Sequence, residues 1–173
     1  MLFLFFSFSP YLLIDRLGIA KTEFGYWFGL NALALMVTSF IGGFGVKYLS
    51  IRFWMGLGSL CMLVGGLMMT AWLYYSGLSL AAVMVPMLII SAGIAWTVSP
   101  SVAGAMTPFG HVAGSAAALL GCIRFGGASI VVTLMVTLGS MSALYFASCV
   151  CILSLVTLIS FIFIIKRRHT VVY

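Results

Sequence analysis

Long apolar runs separated by short polar connections dominate this chain. Breaks at charged residues, proline or Gly/Ser positions divide it into segments 1–14, 24–46, 53–75, 80–105, 113–138 and 143–165. The apolar residues are continuous within each run, which favours helices over the alternating strands of a membrane barrel. A helix needs about 20 residues to cross a bilayer, and all runs but the first reach that length. The pattern predicts an all-α membrane protein with six transmembrane helices, forming a single domain over residues 1–173.

The first apolar run is short and begins directly at Met1, with no lysine or arginine ahead of it. A secretory signal peptide would need a basic start and a small-residue cleavage site. Neither is visible in the sequence. The run is therefore interpreted as a truncated membrane span, one whose beginning is missing.

Composition agrees with a location in the bilayer. Hydrophobic residues make up 64% of the chain and charged residues 6%, whereas a soluble domain carries roughly 25% charged residues. The net charge of +6 sits largely at the membrane edges, where anionic lipid headgroups are nearer partners than nucleic acid. The composition therefore predicts the lipid bilayer as a partner and no nucleic-acid binding.

Basic residues in the connections predict the orientation. They lie in the second connection and after the last span, at Lys47, Arg52, Lys166, Arg167 and Arg168. By the positive-inside rule these parts face the cytoplasm, which places both termini inside. Arg16 and Lys21 fall on the opposite side and count against this orientation, but they lie among the acidic Asp15 and Glu23.

The sequence contains no pattern typical of an enzyme or a metal site. His111, His169 and Asp15 fall in or beside separate connections and assemble no Ser/His/Asp or metal-ligand spacing. No phosphate-binding G-x-x-x-x-G-K-[ST] loop is present. The cysteines all fall inside predicted spans, at Cys61, Cys122, Cys149 and Cys151. The sequence therefore predicts no enzymatic activity, no cofactor and no metal.

Small residues recur every four positions in and just before the fifth span. They are Gly110, Gly114, Ala118, Cys122 and Gly126. This spacing places them along one helix face, where another backbone can come close. Gly25 and Gly29 open the second span, in the equivalent place if the six helices form two three-helix repeats. These residues predict helix packing, and simple helix crossing without a role in transport accounts for most of them.

Arg124 lies near the middle of the fifth span, where a guanidinium costs about 2.5 to 3.5 kcal/mol on insertion scales. The acids of the chain, Asp15 and Glu23, are both predicted at the outer edge, so neither is placed to pair with it. Backbone carbonyls with water, a lipid-facing position, an anionic substrate and an acid on a second polypeptide stay open as its surroundings. Arg124 is a candidate substrate-cavity residue.

Three further residues are cavity candidates. Asn31 in the second span can hydrogen-bond across helices for about 0.6 to 2 kcal/mol, or it can line a pore. Trp96 and Thr97 lie in the fourth span between Pro86 and Pro100. Each proline removes a backbone donor and can bend the helix, so both are predicted kinks. Packing is the alternative role for Asn31, Trp96 and Thr97.

Three stretches of the sequence resemble a known transporter family. Residues 108–121, PFGHVAGSAAALLG, are similar to the entry of the eleventh helix in Bcr/CflA-type drug efflux transporters of the major facilitator superfamily. Residues 28–33, FGLNAL, resemble their eighth helix, and residues 9–11, SPY, resemble the end of their seventh. The resemblance runs through the chain in the family's order and covers the C-terminal half of such a transporter.

The resemblance implies an antiporter of the bacterial inner membrane that exports drugs or small metabolites in exchange for protons. It implies a six-helix bundle of two inverted three-helix repeats and a partner, either a missing N-terminal six-helix half or a second copy. The family generally carries its proton-binding acid in the N-terminal half, which agrees with the lack of a midplane acid here. Two features depart from the family: Gln is usual at the position of Arg124, and the basic glycine-rich loop is reduced to residues 43–52.

Two other functions stay open from the sequence. The chain could be a non-transporting remnant or a small helical partner protein that assembles through the face from Gly110 to Gly126. It could also be a homodimeric carrier of an anionic solute, because a dimer would bring two Arg124 side chains toward one axis with no acid between them.

Overall fold

A computed structural model of the chain describes residues 1–138 and 142–170, and every regular element in that part is helical. The helices are α1 (Leu2–Pro10), continued by a π-helical segment (Tyr11–Arg16), α2 (Lys21–Gly45), α3 (Ile51–Ser76), α4 (Leu80–Met106), α5 (Ala113–Leu138) and α6 (Ala143–Thr170). All but α1 are long and apolar enough to cross a membrane. The prediction of an all-α protein with six helices is confirmed for the described residues, and the five long apolar helices are consistent with a membrane protein. A sixth transmembrane span stays a prediction, as does the division of the fold into two three-helix inverted repeats.

Local sequence signals set the helix ends. Ser50, Ser79 and Ser142 precede α3, α4 and α6, and each side chain accepts a hydrogen bond from the backbone N–H three residues later, at 3.1–3.3 Å. Such N-caps satisfy a donor that the first turn of a helix cannot pair internally. Gly18 and Gly77 have φ angles of +67° and +72° where α1 and α3 give way to connections, and glycine adopts this region without a Cβ clash.

Helix α4 occupies the centre of the bundle. It packs along α3 and α2, while α3 also packs along α6. Side chains of α1, its π-helical continuation, α3, α4 and α6 form the core, and the largest buried ones include Phe5, Leu12, Met69, Met87, Ile90 and Phe146. Helix α5 differs from the others, because it packs mainly against α1 and lightly on α4 and has no fully buried residue in its described part.

Glycines bring α3 close to both of its neighbours. A methyl group built on Gly93 of α4 would lie 2.5 Å from the carbonyl oxygen of Gly58 in α3. A methyl group on Gly65 would lie 3.0 Å from the α4 backbone, and one on Gly66 would lie 3.2 Å from the α6 backbone. Close contact through small residues is how membrane helices gain van der Waals packing without a hydrophobic driving force. The α3 helix is therefore fixed on two sides by backbone-to-backbone contact.

Charged residues lie at the two ends of the bundle. Asp15, Arg16, Lys21 and Glu23 lie where α1 ends and α2 begins, whereas Lys47 and Arg52 flank the connection from α2 to α3. Lys166 is near the end of α6, at the same end of the bundle as Lys47. The side chains of Arg167 and Arg168 lie outside the part that the structure describes. The two-ended charge distribution is typical of a multi-pass membrane protein, and the cytoplasmic location of the Lys47 end stays a prediction.

Candidate functional site

A cleft of about 260 Å³ lies beside the middle of α5. Its lining comes from five of the six helices and consists of Met1, Leu2, Phe3, Met62, Ile94, Thr97, Val98, Arg124, Ala128 and Thr157. Arg124 is the ionisable side chain in this otherwise mostly apolar lining. Two of the predicted cavity residues, Arg124 and Thr97, are therefore brought to one cleft, with Arg124 on α5 and Thr97 on α4.

The cleft offers hydrogen-bond donors and acceptors to a solute. Arg124 is exposed, and its guanidinium carries five N–H donors. The acidic residues of the chain, Asp15 and Glu23, lie at the end of the bundle where α1 meets α2. The Thr97 hydroxyl donates to the carbonyl oxygen of Gly93 at 2.8 Å, so its oxygen keeps a lone pair for an incoming donor. This arrangement suits a solute with anionic or strongly polar oxygens.

Asn31 lies between α2 and α4 and is not among the residues that line the cleft. It is 2% exposed, and the Ser91 hydroxyl donates to its Oδ1 atom at 2.9 Å. Its Nδ2 atom is buried and has no hydrogen-bond partner among the described residues. In this structure Asn31 makes a contact between helices, the alternative weighed from the sequence, and its role as a cavity residue stays a prediction.

Ser91→Ala is expected to lower the free energy of unfolding by about 1–3 kcal/mol, because it leaves both polar atoms of the buried Asn31 amide without a partner. Unfolding in a denaturing detergent, followed by circular dichroism, measures this change. Adding Asn31→Leu to Ser91→Ala should restore much of the loss, since the unpaired amide is then gone.

A matched control for this pair is Ser99→Ala, an exposed serine on the same helix. We expect almost no change in stability from it. An equal loss for Ser99→Ala and Ser91→Ala, or no recovery in the double variant, would contradict the importance of the pair.

Trp96 makes a second contact between α2 and α4. Its indole Nε1 donates to the carbonyl oxygen of Thr38 at 2.9 Å, and its ring meets Trp54 edge-on with centroids 5.3 Å apart. A methyl group on Gly42 would lie 2.8 Å from Trp96 Cδ1. Trp96 borders a separate cavity of about 220 Å³ between α2, α3 and α4. Trp96 and Thr97 therefore line different cavities although they are adjacent in sequence.

Trp54 also lines this second cavity, and it was not among the residues predicted from the sequence. It is 7% exposed, and its Nε1 atom is buried without a hydrogen-bond partner among the described residues. A methyl group on Gly45 would overlap its ring. The sequence signal that could have identified it is the glycine-rich end of α2, at Gly42, Gly43 and Gly45, shortly before this tryptophan. An indole ring can pack against a neighbouring helix where glycine leaves space.

The small-residue row of α5 faces away from the described helices. Nothing lies within 4 Å of a methyl group built on Gly114 or Gly126, and Ala118 and Cys122 are exposed. Gly110 is equally open, but it lies before α5, in a 3-10 helical segment (Thr107–Val112), and so does not continue the row on the α5 face. Gly25 and Gly29 of α2 are equally open. Their predicted role in helix packing stays a prediction, and it requires a surface outside the described part of the chain.

The predicted kinks fall in a continuous helix. Helix α4 runs from Leu80 to Met106 with Pro86 and Pro100 inside it, and both prolines are buried. Membrane helices tolerate proline where neighbours and local adjustments compensate for the lost hydrogen bond. Whether either proline bends the helix axis stays a prediction. The described residues bring together no group of three or more His, Cys, Asp or Glu side chains that could hold a metal.

A known resistance protein is similar to this chain. The chloramphenicol resistance protein of Pseudomonas aeruginosa is 31% identical over 125 residues, which is 70% of this chain and 29% of that protein. The chain thus spans less than a third of the length of this relative. No family model matches the sequence, and no solved structure matches it. The similarity and the long apolar helices together indicate a multi-pass helical membrane protein related to a drug-resistance protein.

Proposed function

We propose that this chain is the C-terminal half of a proton-coupled exporter of drugs or small metabolites, of the Bcr/CflA type within the major facilitator superfamily. The observation that carries the proposal is its similarity to a chloramphenicol resistance protein. Drug resistance that involves a multi-pass membrane protein is more simply explained by export than by modification of the drug. We further propose that it lies in the bacterial inner membrane with both termini in the cytoplasm.

In this proposal the cleft at Arg124, which lies between helices of this chain, is part of the substrate path. Transporter binding sites lie near the bilayer midplane, where repeats or halves meet. Arg124 donates to substrate oxygens, and Thr97 supplies a hydroxyl from the opposite wall. The proton carrier belongs to the preceding half, because Asp15 and Glu23 lie at one end of the bundle. A small-molecule substrate and an N-terminal six-helix half are therefore the proposed partners.

The open face of α5 is the proposed surface for that half. Its row of small residues is exposed along the helix, and small residues allow another membrane helix to approach closely. The same face would serve the second candidate function, a helical partner protein that assembles without transporting. The two functions differ in whether drug accumulation in cells changes.

Intracellular accumulation of chloramphenicol tests the proposal. The chain is expressed in a drug-sensitive bacterium alone, and also together with any in-frame coding sequence upstream of Met1. We expect the longer gene to contain about six further apolar spans and to lower accumulation, with the effect lost when an uncoupler dissipates the proton gradient. Accumulation unchanged by the longer gene, or an upstream region without further spans, would contradict export by this protein.

Variants of α5 separate assembly from folding in the same assay. Gly114→Leu combined with Ala118→Leu is expected to abolish export at an unchanged amount of protein in the membrane, because bulky side chains keep the other half from docking. Gly127→Leu is the matched control. Gly127 is also open and lies about two and a half turns from Ala118, on the opposite side of the helix. Export retained in the double variant would contradict this docking face.

A further inference from the structure

Two adjoining cavities form a groove along the second half of α2, which we call the α2 groove. The outer one is a shallow surface depression of about 400 Å³, lined by Ser39, Phe40, Gly43, Phe44 and Lys47. The inner cavity is the one between α2, α3 and α4 that Trp54 and Trp96 border, and it shares Ser39 and Gly43 with the outer one. Nothing lies within 4 Å of a methyl group built on Gly43. The absence of a side chain there keeps the groove open.

The α2 groove is apolar along its length and basic at one end. Phe40 and Phe44 are 59% and 61% exposed, one helical turn apart. The ammonium of Lys47 lies 5.5 Å from the centre of the Phe44 ring. Ser39 is about 12 Å deeper along the helix than Lys47. A charged group at the membrane edge followed by an apolar wall complements an amphipathic molecule with an anionic head.

Charge at this end of the bundle favours an anion. Arg52, the second residue of α3, follows Lys47 by five residues and is exposed. The acidic residues, Asp15 and Glu23, belong to the opposite end, with Glu23 about 36 Å from Lys47 along α2. No acid of the described chain therefore competes for the Lys47 ammonium. Basic sites at the ends of membrane helices attract anionic lipid headgroups.

We propose that the α2 groove binds one anionic phospholipid. Its phosphate contacts Lys47 with Arg52 nearby, and one acyl chain lies against Phe40 and Phe44 over the open surface at Gly43. The site is separate from the cleft at Arg124, since the two share no lining residue. The inference therefore does not depend on the proposed transport function.

Tryptophan quenching tests the proposal on the whole chain in vesicles. Trp27→Phe with Trp72→Phe leaves Trp54 and Trp96 as reporters beside the groove. Phosphatidylglycerol brominated on its acyl chains, added as a minor component to phosphatidylcholine, is expected to quench about fivefold more strongly than brominated phosphatidylcholine at the same fraction, because one basic side chain near the surface contributes about that factor. Native mass spectrometry of the unsubstituted chain gives a second measure of retained phosphatidylglycerol.

Matched variants define the site. Lys47→Gln and Gly43→Leu should each reduce quenching by brominated phosphatidylglycerol to the level seen with brominated phosphatidylcholine. The first variant removes the charge, and the second fills the groove. Lys21→Gln at the other end and Gly25→Leu, another open glycine of α2, should leave the quenching unchanged. Equal quenching by both brominated lipids, or equal effects of the test and control variants, would overturn the proposal. Relief of quenching by soluble glycerol phosphate would also overturn it, since a simple anion site would then suffice.

Discussion

Gly93→Ala is expected to lower the free energy of unfolding by about 3 kcal/mol or more, at the upper end of the cost of adding a methyl group to a packed interior. The added methyl group would lie 2.5 Å from the carbonyl oxygen of Gly58 and 2.7 Å from Met62 Cγ. The methionine side chain can rotate away, but the carbonyl oxygen moves only if α3 moves. Since α3 also packs along α6, the strain spreads through the most extensively packed part of the bundle.

Detergent-induced unfolding of the purified chain, followed by circular dichroism, measures this effect. Gly127→Ala is the control, because nothing lies within 4 Å of a methyl group there and alanine is the better helix former by about 1 kcal/mol. We expect Gly127→Ala to be neutral or slightly stabilising. Equal stabilities for the two variants would show that α3 and α4 are not in close backbone contact at Gly58 and Gly93.

Arg124→Gln is expected to reduce export of an anionic substrate at least about tenfold in the complete transporter, while export of an uncharged analogue changes little. A hydrogen bond to a charged group contributes about 1.5–3 kcal/mol, which corresponds to that factor or more. Glutamine keeps a polar side chain in the cleft, so the variant isolates the charge. Arg124→Lys should keep much of the preference for the anion, because it retains the charge but loses the planar fork.

Uptake into inside-out membrane vesicles, with the charged and uncharged analogues measured side by side, checks this prediction. Arg16→Gln is a matched control, since Arg16 lies at the end of the bundle, where its Nε donates to the Tyr11 hydroxyl at 2.8 Å. We expect both substrates to be transported normally in that variant. Loss of both substrates alike in Arg124→Gln would indicate a structural role, and retention of both would remove Arg124 from the substrate path.

The helices were predictable because a single property sets them. The predicted segments 80–105 and 113–138 agree with helices Leu80–Met106 and Ala113–Leu138 to within one residue. They agree because the length of an apolar run is tied to the thickness of the bilayer. Differences appear where a helix extends beyond the hydrocarbon. Helix α2 begins at Lys21 instead of residue 24, and α6 continues to Thr170 instead of 165, because polar residues add helical turns outside the apolar run.

The pairing of helices was not predictable from spacing. The row on α5 has the most regular small-residue pattern, yet it meets no described helix, whereas the tight contacts use Gly58, Gly65 and Gly93. A repeat every four residues defines a face of a helix but carries no information about what lies opposite that face. The Asn31 amide shows the same limit, since its depth in the membrane was evident but its partner Ser91, on another helix, was not.

Helices α2 and α4 are joined at two heights by side-chain hydrogen bonds, Asn31 with Ser91 and Thr38 with Trp96. The two attachment points are about 10 Å apart along α2. Hydrogen bonds at two separate heights oppose rotation of α2 and α4 about either contact alone. Because glycine contacts also bring α3 close to α4, the helices α2, α3 and α4 form one closely joined unit.

Helix α5 is the lightly held helix of the bundle, because it has no fully buried residue in its described part, whereas α1 is anchored by side chains in the core. Of the two predicted cavity residues that line the cleft, Arg124 lies on α5 and Thr97 lies on α4. A displacement of α5 would change the distance between the Arg124 guanidinium and the Thr97 hydroxyl. The width of the cleft therefore depends on the position of a single helix.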